Sequence, residues 1–261
     1  MNHCKNLLLT GLASLTFAQL SAQEYPNTPP EESPMPMKPE MTEIWEPEVE
    51  VVTPGEKLGD APSDAIILFG GENLEQWVSQ SDSTKAAPWE VKDGYFQVSP
   101  GTGGIQTKMK FGDCQIHLEW SAPDDAAHRG QGRGNSGLFF QDRYELQILD
   151  SYENRTYANG QAGSIYKDHP PLVNAMRSPD KWNTYDVIYT APRFKEDGRL
   201  DSEAKITVLH NGVVVQNDAT IHGLTLYIGL HNYPEAHGED VIALQDHGTK
   251  VQFRNIWIRR L

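Results

Sequence analysis

The chain has 261 residues, with 22 Lys and Arg against 36 Asp and Glu, a formal net charge of −14 and a pI near 5.0. A surface this acidic, with no basic cluster, repels nucleic-acid phosphates and anionic membranes, so neither is expected as a partner. Two cysteines, Cys4 and Cys114, are too few for a disulfide scaffold, so stability must come from a hydrophobic core.

Residues 1–22 read as an export signal. Lys5 gives a basic start, Leu7 to Leu20 is mostly apolar, and Ser21-Ala22 offers a small-residue cleavage site. The apolar run is short for a bilayer, so no transmembrane anchor is expected; a retained anchor is the alternative. The mature chain would start near Gln23, in the periplasm or outside the cell. It would keep only Cys114, which reads as a small hydrophobe at a strand start rather than a nucleophile.

Residues 23–62 form a Pro-, Glu- and Met-rich arm or linker that cannot bury a core of its own. Within it, Ile44 to Val52 alternates enough to suggest an edge strand, with plain disorder as the alternative. Residues 63–261 have the texture of a β domain. Ile66 to Phe69 precedes a Gly70-Gly71 turn. Trp89 to Val91 and Tyr95 to Val98 flank Asp93-Gly94, a hairpin signal. Gln115 to Trp120 alternates, and Gly134 to Gln141 reads as one strand, followed after a short connector by a second from Tyr144 to Ser151. Lys205 to His210 turns at Asn211-Gly212 into Val213 to Gln216. Leu226 to Leu230 and Val251 to Ile258 complete the set of expected strands. Helical periodicity is absent. Many short strands with Gly, Asn and Asp turns predict an all-β, two-sheet antiparallel jelly-roll sandwich.

Strand alternation then sorts the polar residues. Glu145 and Gln147 share one face, while Tyr144, Leu146 and Ile148 face a core. Asp150 has the opposite parity and joins that face only across a bulge or strand end. His117 and Glu119 share a face of their own strand. If the two strands pair, both acids and an imidazole lie on one concave sheet, enough for acid–base chemistry; a merely solvated sheet face is the alternative. Asp246 and His247 sit in a loop before the last strand, where a simple capped turn is equally expected. Trp77, Trp89, Trp182, Tyr152, Tyr157 and Tyr166 are candidate sugar platforms, and Trp257 reads as core. His231, His237 and Asp240 match no compact metal motif. No cofactor is expected, although a divalent cation held by carboxylates and carbonyls stays open. The glycine-rich Gly130 to Gly137 precedes a strand and is no phosphate loop.

The motifs Leu68-Phe69-Gly70-Gly71-Glu72-Asn73-Leu74, Trp89-Glu90-Val91-Lys92-Asp93-Gly94, Gly134-Asn135-Ser136-Gly137, Tyr144-Glu145-Leu146-Gln147-Ile148-Leu149-Asp150-Ser151, Trp182-Asn183-Thr184-Tyr185-Asp186 and Leu244-Gln245-Asp246-His247-Gly248 occur in order. Together they resemble the 3-keto-disaccharide hydrolase family, from about Asp64 to Leu261. The resemblance implies a concanavalin-like β-sandwich, exported by bacteria, acting on glycosides oxidised at carbon 3. The partner is then a carbohydrate or oxidised disaccharide. The long proline-rich arm is a departure whose role the family does not settle.

A ketone at carbon 3 acidifies the hydrogen on carbon 2, so a base can drive elimination of the carbon-1 substituent, and water can then add. The candidate bases are Glu145 and Glu119, and the candidates for assisting departure are His117 and His247. Gln147, Asn135, Asp150, Asp246, Trp182 and Tyr166 are candidate substrate-binding residues. Two alternatives stand beside this one. An ordinary glycosidase would need two carboxyls about 5–5.5 or 6.5–9.5 Å apart. A non-catalytic carbohydrate-binding module, or an envelope protein tethered by the arm, would need neither.

Overall fold

A computed structural model describes residues 36–125 and 127–261. The export signal, Cys4 and the start of the arm lie outside those residues. The chain divides into two units, Met1–Glu50 and Val51–Leu261. In the first, the described residues contain one 3-10 turn, Pro39–Thr42, closed by the Thr42 hydroxyl on the Pro39 carbonyl at 3.1 Å. Residues 44–52 form no strand, which corrects the edge strand suggested by their alternation. Pro47 removes a ladder donor there.

The second unit contains β1 (Ile66–Phe69), β2 (Trp77–Ser79), β3 (Glu90–Lys92), β4 (Tyr95–Gln97), β5 (Ile105–Phe111), β6 (Cys114–Ser121), β7 (Ser136–Phe140), β8 (Tyr144–Ile148), β9 (Asn183–Thr190), β10 (Arg193–Phe194), β11 (Leu200–Ser202), β12 (Ala204–His210), β13 (Val213–Ile221), β14 (Asp240–Leu244) and β15 (Gln252–Arg260). An eight-stranded sheet runs β13-β12-β9-β6-β15-β4-β3, with β1 also on β15, and a five-stranded sheet runs β2-β5-β14-β7-β8. Neighbours in both sheets are antiparallel. The two sheets enclose one core, with Ile116, Leu118 and Trp120 of β6 and Tyr185, Val187 and Tyr189 of β9 from one side. Leu138 and Phe140 of β7 and Tyr144, Leu146 and Ile148 of β8 come from the other. The expected jelly-roll sandwich is therefore the observed fold. Among the described residues no helix is long and apolar enough to cross a membrane.

Two hairpins follow directly from their turns. Asp93 and Gly94 have φ of 50° and 82°, and Asn211 and Gly212 have 53° and 78°. Two successive positive φ angles are what a type I′ turn needs, and its twist matches the strands it joins. Leu226 to Leu230, expected as a strand, is instead an irregular loop in which Tyr227, Ile228 and Leu230 are exposed. Cys114 is fully buried in β6, and burial pushes its thiol up to about 12, so it is inert at neutral pH.

β15 carries a bulge. Its register against β6 shifts between Arg254 and Trp257, with Asn255 at φ 45°. One extra residue reverses side-chain parity. Phe253, Ile256 and Ile258 therefore reach the core, while Trp257 turns to the outer face opposite His117. This corrects the assignment of Trp257 to the core between the sheets. It is buried instead beneath the end of the arm, where the Gly59 carbonyl accepts from Trp257 Nε1 (2.8 Å) and Asn255 Nδ2 (2.9 Å). Gly59 adopts φ +88°, and a Cβ there would sit 3.2 Å from His117 Nε2.

Candidate active site

The outer face of the five-stranded sheet holds the expected Glu145–Gln147 pair. Both are buried, at 5% and 1% exposure, because loops rise around them. They open into a pocket of about 320 Å³ lined by Asn135, Phe139, Glu145, Gln147, Tyr166, Thr225, Tyr227, Gln245 and His247. Gly137 lies opposite Gln147 across the β7–β8 ladder. A Cβ on Gly137 would lie 2.5 Å from Glu145 Oε1 and 2.7 Å from Phe139, so a glycine is what lets the carboxyl lie flat on the sheet. Gly137→Ala is accordingly expected to displace Glu145, cutting activity at least tenfold while costing about 1–3 kcal/mol of stability. Activity together with thermal unfolding checks this; an alanine variant with full activity would contradict the tight fit.

Among the described residues the Glu145 carboxyl has no cationic partner. Burial alone pushes its pKa up to about 8. The Gln147 amide, with its nitrogen turned inward, lies 2.9 Å from Glu145 Oε1 and 3.1 Å from the Ser136 carbonyl. That orientation supports an ionised carboxylate. Tyr166 donates to or accepts from the Tyr157 hydroxyl at 2.7 Å. Burial first, then Tyr157 and Glu145, raise the Tyr166 pKa, so it stays a neutral hydrogen-bond donor. The buried Gln245 Oε1 has no partner, while the backbone around it is pinned by Ser136 Oγ on the Gln245 carbonyl at 2.7 Å. Such an orphaned acceptor suits a ligand hydroxyl.

His117 and Glu119 are not part of this pocket. β6 lies in the other sheet, paired with β9 and β15 rather than with β8. Its core-facing residues are Ile116, Leu118 and Trp120, so His117 and Glu119 point to the opposite outer face of the sandwich. There His117 Nδ1 lies 2.6 Å from Asp186, its ring stacks on Trp257, and Glu119 accepts from Arg254 Nε (2.7 Å) and Asn255 Nδ2 (3.0 Å). His117 Nε2 is 3.8 Å from Glu119, a charge contact too long for a hydrogen bond. The gathering of both acids into one hollow is thereby overturned. Parity placed each residue on its own strand face correctly, but it could not tell which sheet each strand joined.

Trp182 is also on that outer side, under the Arg254 guanidinium at 4.2 Å. Asp150 is wholly buried, within 2.8 Å of Arg133 Nε, and accepts from Tyr152 N at 3.0 Å; it fastens the loop ahead of β7 rather than facing the pocket. Asp246 accepts from the backbone N–H groups of Gly101 (2.7 Å), Gly103 (3.0 Å) and Gly248 (2.9 Å). Its carboxylate is thereby used as a clamp that positions the adjoining His247 at the pocket rim. Trp77 and Trp89 are core residues bonded to the Leu68 and Gly103 carbonyls. His231, His237 and Asp240 are engaged separately, by the Leu224 carbonyl, the Tyr144 hydroxyl, and Arg143 with Lys110.

Sequence reasoning missed Thr225, Tyr227 and Phe139 as pocket residues and gave Gln245 no role. Tyr227 lies in the Leu226 to Leu230 loop expected as a strand, Thr225 just ahead of it, and Phe139 gave no signal beyond its parity with Glu145. A larger groove of about 430 Å³ runs past Asp113, Arg193, Glu239 and Arg260. Its charges are paired, Arg193 with Asp113 and Arg260 with Glu239, so it lacks the unpartnered carboxyl that distinguishes the smaller pocket.

A curated relative, the 3-keto-disaccharide hydrolase of Bacteroides thetaiotaomicron, is 23% identical over 244 residues, covering 77% of this chain and 80% of that one. A solved structure of a candidate glycosyl hydrolase from Parabacteroides distasonis superposes with a TM-score of 0.82 at 52% identity, over 86% of this chain and 97% of the other. A second such protein of that organism, at 21% identity and TM-score 0.53, covers 76% of this chain and 99% of its own and shares the fold. Residues 64–259 match the model of the 3-keto-alpha-glucoside-1,2-lyase-like domain, and with Glu145 and its pocket inside that span the chain belongs to this glycosyl-hydrolase-like family.

Proposed function

We propose that the protein cleaves glycosides whose ring carries a ketone at carbon 3, by elimination followed by hydration. The observation that carries this reading is the solitary carboxyl. Among the pocket-lining residues Glu145 is the one acid, whereas displacement at carbon 1 by the usual glycosidase routes takes a pair of carboxyls flanking the bond. Elimination needs one base, and a carboxyl raised to about 8 is a far stronger base than an ordinary one. The substrate class is that of the Bacteroides relative's name.

In this reading Glu145 takes the proton from carbon 2. The electron pair enters the ring as an enolate on the carbon-3 oxygen, which accepts a hydrogen bond from the neutral Tyr166 phenol. The carbon-1–oxygen bond then breaks, its electrons leaving with the departing oxygen, which takes a proton from a water held by His247. The hydroxide left by that water adds to carbon 1 of the unsaturated product, and the proton held by Glu145 returns to carbon 2. The net change is hydrolysis. Asn135, Gln147 and Gln245 hold ring hydroxyls. An exported protein, periplasmic or extracellular, fits the signal-like residues 1–22.

A deuterium at carbon 2 is therefore expected to slow cleavage several-fold under single-turnover conditions. Direct displacement at carbon 1 leaves that bond intact, so an isotope effect near unity with active enzyme would eliminate the proposed route. Tight binding of the keto-sugar without any cleavage would mark a binding module instead.

A further inference from the structure

We infer that Asp168, His169 and His222 form a binding site for a borderline divalent metal ion such as Zn²⁺, separate from the Glu145 pocket. One ligand atom from each lies within 4.8 Å of the others. Asp168 Oδ1 is 2.7 Å from His222 Nδ1 and 3.5 Å from His169 Nε2, and His169 Nε2 is 2.9 Å from the Thr220 carbonyl. Two imidazole nitrogens and a carboxylate oxygen thus converge, with the Thr220 carbonyl against one of the imidazoles. Ligand atoms about 2.0–2.2 Å from a tetrahedral zinc lie roughly 3.3–3.5 Å apart, so the widest spacing has to close by up to about 1.5 Å to bring the three side chains onto one ion.

The surroundings suit such a site. The His222 backbone N–H donates to Asp168 Oδ2 at 2.9 Å, which orients the carboxylate. The Asp168 side chain is 8% exposed while that of His222 is 50% exposed, giving a seated ligand and an open path for the ion. The imidazole pair favours zinc or its neighbours over the oxygen-seeking calcium and magnesium.

The position gives the site a consequence. Asp168 and His169 follow Tyr166 in one loop, and His222 begins the segment that carries Thr225 and Tyr227. Tyr166, Thr225 and Tyr227 all line the Glu145 pocket. At present the two segments are tied by Lys167 Nζ on the Tyr227 carbonyl (2.8 Å), with the ammonium 4.3 Å from the Tyr227 ring. A metal bridging Asp168 and His169 to His222 would be a second and stiffer tie.

The untagged full-length protein, stripped with a chelator and dialysed against micromolar zinc, is expected to retain one zinc per chain and to unfold at a higher temperature than the stripped form. His222→Ala and, separately, His169→Gln are expected to weaken zinc binding by more than about tenfold. Millimolar calcium is expected not to displace the zinc. Substoichiometric zinc in the wild-type protein would overturn the assignment, as would unchanged affinity in both variants or displacement by calcium. Circular dichroism of each variant shows whether it is folded, and the wild-type measurements need no variant.

Discussion

Glu145→Gln is expected to lower kcat/KM on a 3-keto-disaccharide by about 10²–10⁴-fold with little change in KM, because the amide keeps the shape and loses the base. The wild-type pH profile carries the same signature. The active form is the carboxylate, so kcat/KM should rise with pH and level off above about 8. Two pH units below that plateau the ionised fraction, and with it the rate, is about a hundredfold lower. A profile that falls as pH rises through 8 would make Glu145 the acid and overturn its assignment as base.

The same group works against the fold. A carboxyl held at about 8 in the native state and near 4.5 when unfolded costs stability that grows from about pH 4.5 and is complete above about pH 8. Glu145→Gln should therefore raise the melting temperature at pH 9 and leave it nearly unchanged at pH 4. A residue that destabilises its own fold at working pH while filling a polar pocket has the profile of a functional group. This stability gain also separates a chemical loss from misfolding.

Local signals in the sequence were read well, and long-range ones were not. The turn pairs Asp93-Gly94 and Asn211-Gly212 predicted their hairpins because their backbone angles are a property of those residues alone. Period-two alternation placed Glu145 with Gln147, and His117 with Glu119, because side-chain parity is also local. Which sheet each strand joins depends on contacts across the whole domain, and alternation carries no information about that. So the two pairs were merged into one site although they lie on opposite faces. Trp257 failed for a related reason. The bulge at Asn255 inserts one residue, and every parity argument past it reverses. The Asp168, His169 and His222 cluster was invisible because His222 joins it from the far end of β13.

His117→Ala is expected to destabilise the protein by on the order of 3 kcal/mol at pH 6, lowering the melting temperature by roughly 6–12 °C, while leaving kcat within about twofold of wild type. Burial on its own would lower the His117 pKa, but Asp186 and then Glu119 outweigh it and raise it to about 9, so the buried imidazolium holds Asp186 and Glu119 together. The sign follows from linkage. A cation whose native pKa of about 9 exceeds its ordinary 6.5 contributes fully below about pH 6.5 and is lost as pH rises through 9. Glu119 acts at the other end. Burial would raise its pKa, yet His117, Asn255 and Arg254 bring it down to about 2, so its share is present above about pH 4.5 and lost as pH falls toward 2. Wild-type stability should thus be greatest between about pH 4.5 and 6.5, with the alkaline decline blunted in His117→Ala. Thermal melts across pH, run beside turnover assays, decide the point: a variant that melts normally but has lost turnover would return His117 to the chemistry and remove the outer-face network as its role.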